Sequence, residues 1–473
     1  MTCCHMLVRM RKQAVLFLVF ALLGSIVTPF LSVKANSSSD DWPMFNHDLS
    51  HTGYSTSTAP KTNKTLWTFT TGGAVETSPA VVNGIVYVGS DDGYVYALNA
   101  ANGSLIWKYN TYGPVQSSPA VVDGLVYIGG YHSHAVFALD AYTGELVWSS
   151  PTDSIYPNKI SSTAVANGLV YVDMFNSGAA GGEFYALNAS TGNLVWKYAP
   201  GAWISSSPAV YGGKVYIGTS TDRIVALDAI SGDISWRYFV TNSGPTVGGG
   251  SPIYSGASSL SISDGLVYIG TTIQTVQAWD ASTGAFVWSG DINGAVYAST
   301  VAVANGVVYA STGLGGTVGT LQPPGVTALN AESGALLWNN SLGSIQYSSP
   351  AVADGMVFVG SDAGPPNLGV NDGNSVYALD ADTGATIWTY ETGGEVWSSP
   401  AVAYGVVYVG SNDAKVYAIG TNQNIPSPSV PEFPAWIVLP PLIIATLFTA
   451  IFLIKKRKRQ NLYTFAFLTT GPN

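Results

Sequence analysis

Eight tryptophans recur at near-regular intervals: Trp67, Trp107, Trp148, Trp196, Trp236, Trp288, Trp338 and Trp388, spaced 40, 41, 48, 40, 52, 50 and 50 residues apart. Each closes a similar stretch, and the copy ending at Trp148 reads SSPAVVDGLVYIGGYHSHAVFALDAYTGELVW. A unit of this length cannot bury its own apolar face and must stack on its neighbours. Helical repeats would place apolar residues at a 3.6-residue period. These units instead carry short Val, Ile and Tyr runs between Gly, Asn, Asp and Ser, which is the pattern of strands and turns. The expectation is an all-β radial array: an eight-bladed β-propeller of four-stranded blades, docked through its tryptophans.

One unit shows the local reasons. Ser118-Pro119-Ala120-Val121-Val122 reads as a short inner strand of small side chains, suited to a crowded axis. Asp123-Gly124 is a two-residue hairpin turn, and type I′ turns need positive φ at both central residues. The same slot holds Asn83-Gly84, Asn167-Gly168, Gly212-Gly213, Asp264-Gly265, Asn305-Gly306, Asp354-Gly355 and Tyr404-Gly405, of which Tyr404 fits worst. Two more strands follow, then the turn Asp140-Ala141-Tyr142-Thr143-Gly144, then the outer strand with its indole. Asp accepts nearby backbone N–H groups, and Gly takes the left-handed corner.

Inner strands begin near Ser78, Ser118, Ser162, Ser207, Ser259, Thr300, Ser349 and Ser399, which makes eight blades. The last copy stops at Gly420 without its tryptophan, and Trp67 has no inner strands before it. Leu66 to Phe69 is therefore expected to supply the outer strand of the eighth blade. That closure removes exposed sheet edges and makes one chain a complete, monomeric ring.

Residues 1–35 read as a signal peptide: Arg9, Arg11 and Lys12, an apolar run over 14–27, and a small-residue cleavage site at Val33-Lys34-Ala35. Cys3 and Cys4 are the only cysteines, so the exported part depends on its core, not on disulfides. Residues 36–60 form a strap before the ring, with the propeller over 61–420. In the strap His47 and His51 are four apart, but Pro43 and Gly53 oppose the helix that would pair them as metal ligands. The sequons at Asn36, Asn63, Asn102, Asn188 and Asn339 allow glycosylation. Between Asn36 and Pro431 there are 27 Asp and Glu against 9 Lys and Arg, a difference of −18. Such a surface excludes nucleic acid, whose phosphates need basic patches, and suits cations or basic partners.

A Pro- and Ser-rich linker spans 421–434, an apolar run long enough to cross a bilayer spans 435–454, and a basic tail fills 455–473. Lys455 to Arg459 are all basic, which orients the tail to the cytoplasm and the propeller outside. The expectation is a single-pass cell-membrane protein with a C-terminal transmembrane helix. Pro431-Glu432-Phe433-Pro434 ahead of the apolar run resembles the sorting signals read by archaeosortases in archaeal surface proteins.

The repeated ALNAANGSLIW, ALDAYTGELVW, ALNASTGNLVW, ALDAISGDISW, AWDASTGAFVW, ALNAESGALLW and ALDADTGATIW resemble the pyrroloquinoline-quinone-like (PQQ-like) β-propeller repeat family. The likeness runs over about residues 42–420. It implies the propeller fold, but it spans calcium-dependent quinoprotein alcohol dehydrogenases, the propeller lipoprotein of the bacterial outer-membrane assembly machine, and exported binding platforms. Quinoprotein dehydrogenases hold their cofactor against vicinal cysteines, and here Cys3-Cys4 lie in the signal. The slot before each inner strand holds Glu76, Gln116, Ile160, Ser205, Ala257, Ala298, Tyr347 and Trp397, without the paired carboxylates or His cluster that chemistry would want. Pyrroloquinoline quinone is not expected, and a dehydrogenase is the alternative reading. An envelope assembly factor is another.

The longer connections fall at 174–183, 313–325 and 363–374, between second and third strands, and at 242–257, between blades. In a four-stranded meander both kinds emerge on one side, the usual binding face of a repeat fold. Trp203, Tyr254, Tyr297, Tyr347 and Trp397 are the candidates there for contacting surface proteins or glycans. Asp362, Asn371 and Asp372 are the oxygen donors available to calcium. The sequence thus favours a non-catalytic binding or scaffolding module with no cofactor beyond a candidate calcium.

Overall fold

The computed structural model describes residues 40–131, 135–151, 161–174, 181–204, 206–219, 223–239, 258–296, 298–313, 324–362, 373–421 and 425–428. The signal segment, the apolar run at 435–454, the basic tail, and Tyr254, Tyr297, Asn371 and Asp372 lie outside them. Among the described residues no helix is long and apolar enough to cross a membrane.

Eight antiparallel sheets form eight four-stranded blades. The first comprises Ala80–Val82, Ile85–Gly89, Tyr94–Asn99 and Leu105–Asn110. Inner strands of successive blades touch in a closed cycle, Ala401–Ala403 meeting Ala80–Val82. The eighth blade takes Thr65–Thr70 as its outer strand, antiparallel to Lys415–Gly420, with Trp67 opposite Ala418. The two ends of the chain thus share one sheet.

The repeat motif has a local cause. Asp140 Oδ1 accepts the Tyr142 and Thr143 N–H groups, which sets the turn. Gly144 adopts φ +72°, and a Cβ there would lie 2.6 Å from the Trp107 ring of the preceding blade. The missing side chain lets that indole settle on the turn and donate to Ala141 O at 2.8 Å. Six more indoles do the same, Trp67 to Ala100 O, Trp148 to Ala189 O, Trp196 to Ala229 O, Trp236 to Ala281 O, Trp288 to Ala331 O and Trp338 to Ala381 O, while Trp388, with no such turn to meet, donates to Pro60 O of the strap. In seven blades a second-strand tyrosine donates to the same carbonyl as the indole, as Tyr87 does to Ala141 O at 3.0 Å. The seventh blade has Phe358 in that place, so Trp388 is its only such donor.

The inner strand begins at Ala120, two residues later than its sequence pattern suggests. Pro119 has no N–H for a ladder. Ser118 N–H instead donates to the hydroxyl of Ser162 in the next blade. Ser78 to Ser118, Ser207 to Ser259, Thr300 to Ser349, Ser349 to Ser399 and Ser399 to Ser78 repeat the link. These hydroxyls form a belt around the axis.

The strap does more than lie across the ring. It winds inside the ring and pairs with six of the inner edges, which would otherwise be open. Val81, Val121, Val210, Ile262, Val303 and Val352 donate N–H to Trp42, Pro43, Leu49, Ser50, Thr52 and Gly53 carbonyls at 2.6–2.8 Å. Tyr54–Ser55 then pairs parallel with Ala351–Ala353. His51 is buried in this plug, with Nδ1 3.2 Å from Leu260 O, and desolvation lowers its pKa to about 4. Tyr404, the poor turn residue, does take φ 54°. Its hydroxyl donates to the Asp41 carboxylate and accepts Gly84 N–H at 3.3 Å, so the strap holds it there.

Candidate binding face

The face opposite the hairpin turns is built where each chain entry meets the end of a second strand. Asp91, Tyr131, Asp362 and Asn412 donate N–H to Ala74, Pro114, Ser344 and Glu395 carbonyls of their own blades. Val75, Val115, Val296, Ile345 and Val396 donate to Ser411, Ser90, Thr271, Thr312 and Ser361 carbonyls of the preceding blades. The described residues that flank both types of insertion therefore share this side, and residues just before the inner strands are fixed near the axis.

Tyr347 of the seventh blade and Trp397 of the eighth lie face to face, ring centroids 4.7 Å apart and planes inclined by 31°. Tyr347 is 42% exposed and Trp203, on the fourth blade, 52% exposed. Trp397 is half-buried, and its Nε1 has no acceptor among the described residues. Burial raises the Tyr347 pKa, and the carboxylates of Asp362, Glu395 and Glu76 add to it. Acidic groups from the seventh, eighth and first blades thus all act on this hydroxyl.

Each is positioned differently. Asp362 is buried and accepts Gln346 N–H at 2.9 Å and the Ser344 hydroxyl at 3.2 Å. Burial nevertheless raises its pKa. Glu395 Oε2 accepts Asn412 Nδ2 at 3.2 Å, while the buried Asn412 Oδ1 has no donor among the described residues. Further round, Gln116 Nε2 donates to Asp91 Oδ1 at 3.3 Å, and burial raises the Asp91 pKa.

Comparison with the slot residues is instructive. Glu76, Gln116, Tyr347 and Trp397 come together on one arc. Ala298 contributes no functional group, and Ile160, Ser205 and Ala257 lie outside the described residues. The slot alone misses Glu395, two residues before Trp397, and Asp362, just past the second strand Met356–Gly360. A carboxylate in the middle of the recurring Gly-x-Val entry, Gly394-Glu395-Val396, would have flagged Glu395. Of the calcium candidates only Asp362 is described, and no cluster of three His, Cys, Asp or Glu placed to hold a metal exists among the described residues. His47 and His51 do not meet on a helix; His51 belongs to the axial plug.

The fold is that of an eight-bladed propeller of PQQ-like repeats. A family model described as outer membrane protein assembly factor BamB matches residues 53–178, 135–320 and 324–423, and the chain belongs to that repeat family. It is 24% identical over 287 residues to tetrathionate hydrolase of Acidithiobacillus ferrooxidans, covering 52% of this chain and 53% of that one. It is 26% identical over 188 residues to BamB of Moranella endobia, covering 37% and 47%. The chain spans about half the length of these curated relatives. Among solved structures, BamB of Moraxella catarrhalis matches with TM-score 0.59 at 20% identity, over 76% of this chain and all of that one. Quinohemoprotein alcohol dehydrogenase of Comamonas testosteroni matches with TM-score 0.65 at 17% identity, over 84% and 83%. At such identities these structures speak for the fold alone.

Proposed function

We propose that this chain is a non-catalytic binding and scaffolding propeller, held outside a membrane by its C-terminal apolar segment, with the insertion-bearing face as its docking surface. The observation that carries the reading is the half-exposed Tyr347–Trp397 pair, flanked by fixed carboxylates and joined on the same face by Trp203. Aromatic side chains that are partly exposed yet held rigidly are the usual anchors of protein and glycan partners. Envelope proteins are the first partners to consider, because the matching family is described by an assembly factor.

The quinoprotein alternative fits these residues less well. Pyrroloquinoline quinone carries three carboxylates, and Glu395, Glu76 and the buried Asp362 already place negative charge near Tyr347 on this face. Like charges at close range disfavour that ligand. The test is site-specific photo-crosslinking in cells, with the crosslinker at position 203 or 397 and a control at position 264 in a hairpin turn. The reading expects discrete adducts with exported proteins from 203 and 397 only. Identical adducts from position 264, or alcohol-dependent dye reduction by quinone-reconstituted protein, would refute it.

A further inference from the structure

The arc around Tyr347 has chemistry that narrows the partner. Two stacked rings from neighbouring blades present π-surface, and one of them is 42% exposed. Carboxylates of Asp362, Glu395 and Glu76 lie close enough to Tyr347 to affect its hydroxyl. A ring face beside several carboxylates favours a cation, and favours an organic one, which keeps its attraction to the π-face after losing water. Asp362 and Glu395 are each already oriented by donors of their own blade. They can neutralise a cation without collapsing onto one point, as a metal ion would require.

Two buried polar atoms refine this further. Among the described residues Asn412 Oδ1 has no donor, and its amide orientation is fixed because Nδ2 must face the Glu395 carboxylate. Trp397 Nε1 has no acceptor among the described residues. Unpaired buried groups are costly, and a ligand that pairs both recovers that cost. The complement is a group with N–H donors on a cation and a carbonyl nearby. A lysine or arginine residue within a peptide has both; a simple polyamine has only the first.

We propose that the Tyr347–Trp397 arc recognises a basic side chain of a protein partner, its cation over the Tyr347 ring between Glu395, Glu76 and Asp362. Its backbone carbonyl then accepts from Trp397 Nε1. The net charge excess of the exported part, 27 acidic against 9 basic side chains, draws such a partner in. The inference rests on the binding reading of this face.

The experiment titrates the full-length protein with acetyl-Gly-Gly-Lys-Gly-Gly-amide, its arginine and citrulline counterparts, and spermidine. Tryptophan fluorescence and calorimetry are read at low and high salt. The lysine and arginine peptides are expected to bind about tenfold more tightly than the citrulline peptide, and less tightly as salt rises. Tyr347→Leu is expected to weaken them by about tenfold. Glu395→Gln should flatten the salt dependence, with Glu76→Gln as the second variant should Glu395→Gln fail to fold. Trp397→Phe should keep spermidine binding and lose the advantage of the peptides. Equal binding of the citrulline peptide would overturn the proposal, and so would spermidine binding as tight as the peptides, or indifference to Tyr347→Leu. The face-specific crosslinks would survive such a failure, so the two readings fail separately.

Discussion

The tryptophan clamp makes a quantitative prediction because one blade lacks half of it. In the second blade the Ala189 carbonyl receives Trp148 Nε1 at 2.8 Å and the Tyr127 hydroxyl at 3.2 Å. In the seventh blade the Pro60 carbonyl receives Trp388 Nε1 at 2.9 Å, and the tyrosine is replaced by Phe358. Trp148→Phe removes one hydrogen bond and some ring area but leaves its carbonyl paired, a loss of about 1–2 kcal/mol. Trp388→Phe removes a similar area and leaves a buried carbonyl without its side-chain donor, which adds roughly 1–3 kcal/mol. The Phe358 and Trp388 rings are 5.7 Å apart at 44°, close to the 5.9 Å and 50° of Tyr127 and Trp148. A hydroxyl added by Phe358→Tyr should therefore reach Pro60 O as the other seven reach theirs.

The assay is chemical denaturation of the two single variants, of Phe358→Tyr, and of the double variant Trp388→Phe with Phe358→Tyr. Trp388→Phe should be the less stable single variant, and Phe358→Tyr should recover most of the difference. Because Pro60 belongs to the strap, Trp388→Phe should also loosen ring closure, seen as faster hydrogen exchange in Thr65–Thr70. Equal losses from the two tryptophan variants, with no recovery in the double variant, would show that carbonyl pairing is not what the tyrosine contributes.

Two further outcomes follow from the same geometry. Gly144→Ala meets both a positive φ and a contact of 2.6 Å with Trp107, whereas Gly168→Ala meets a similar φ, +74°, with nothing within 4 Å; melting should show about 1 kcal/mol lost at Gly168 and roughly 1–3 kcal/mol more at Gly144. His51 is held neutral by burial, with its pKa lowered from 6.5 to about 4, so the unfolded chain binds its proton first as pH falls. The stability that neutral His51 permits is full above pH 6.5 and declines towards pH 4, by up to about 3 kcal/mol. A His51→Gln variant should lose that part of the pH dependence in denaturation curves taken between those limits, and an unchanged slope would refute it.

The fold was legible because its signals are local and repeated. Asp140, Gly144 and Trp148 each have a duty set by neighbours a few residues away or one blade on; the Asp or Asn and Gly of that turn recur seven times and the tryptophan eight. The strap was not legible in the same way. Residues 42–53 carry no β-pattern: Trp42 exchanges both backbone bonds with Val81, but Pro43, Leu49, Ser50, Thr52 and Gly53 each offer a single carbonyl to one edge residue of a different blade, and such pairing leaves no side-chain period. Tyr404 shows the cost of reading a turn in isolation: its φ of 54° is unfavourable locally, yet a bond to Asp41, distant in sequence, fixes it.

The binding face falls between these cases. A radial fold converts sequence period into adjacency, so Tyr347 and Trp397, 50 residues apart, become stacked neighbours. The slot comparison found that pair because both occupy equivalent positions. It passed over Glu395 and Asp362 because they reach the same place from the residue before the entry valine and from the end of a second strand. Three backbone routes converge on one spot only when blade geometry is known. A propeller site is therefore readable as a ring of equivalent positions, but its chemistry comes from the positions that are not equivalent. Here those positions supply the carboxylates, and they set an acidic, aromatic arc where the slot alone suggested aromatics and a single acid.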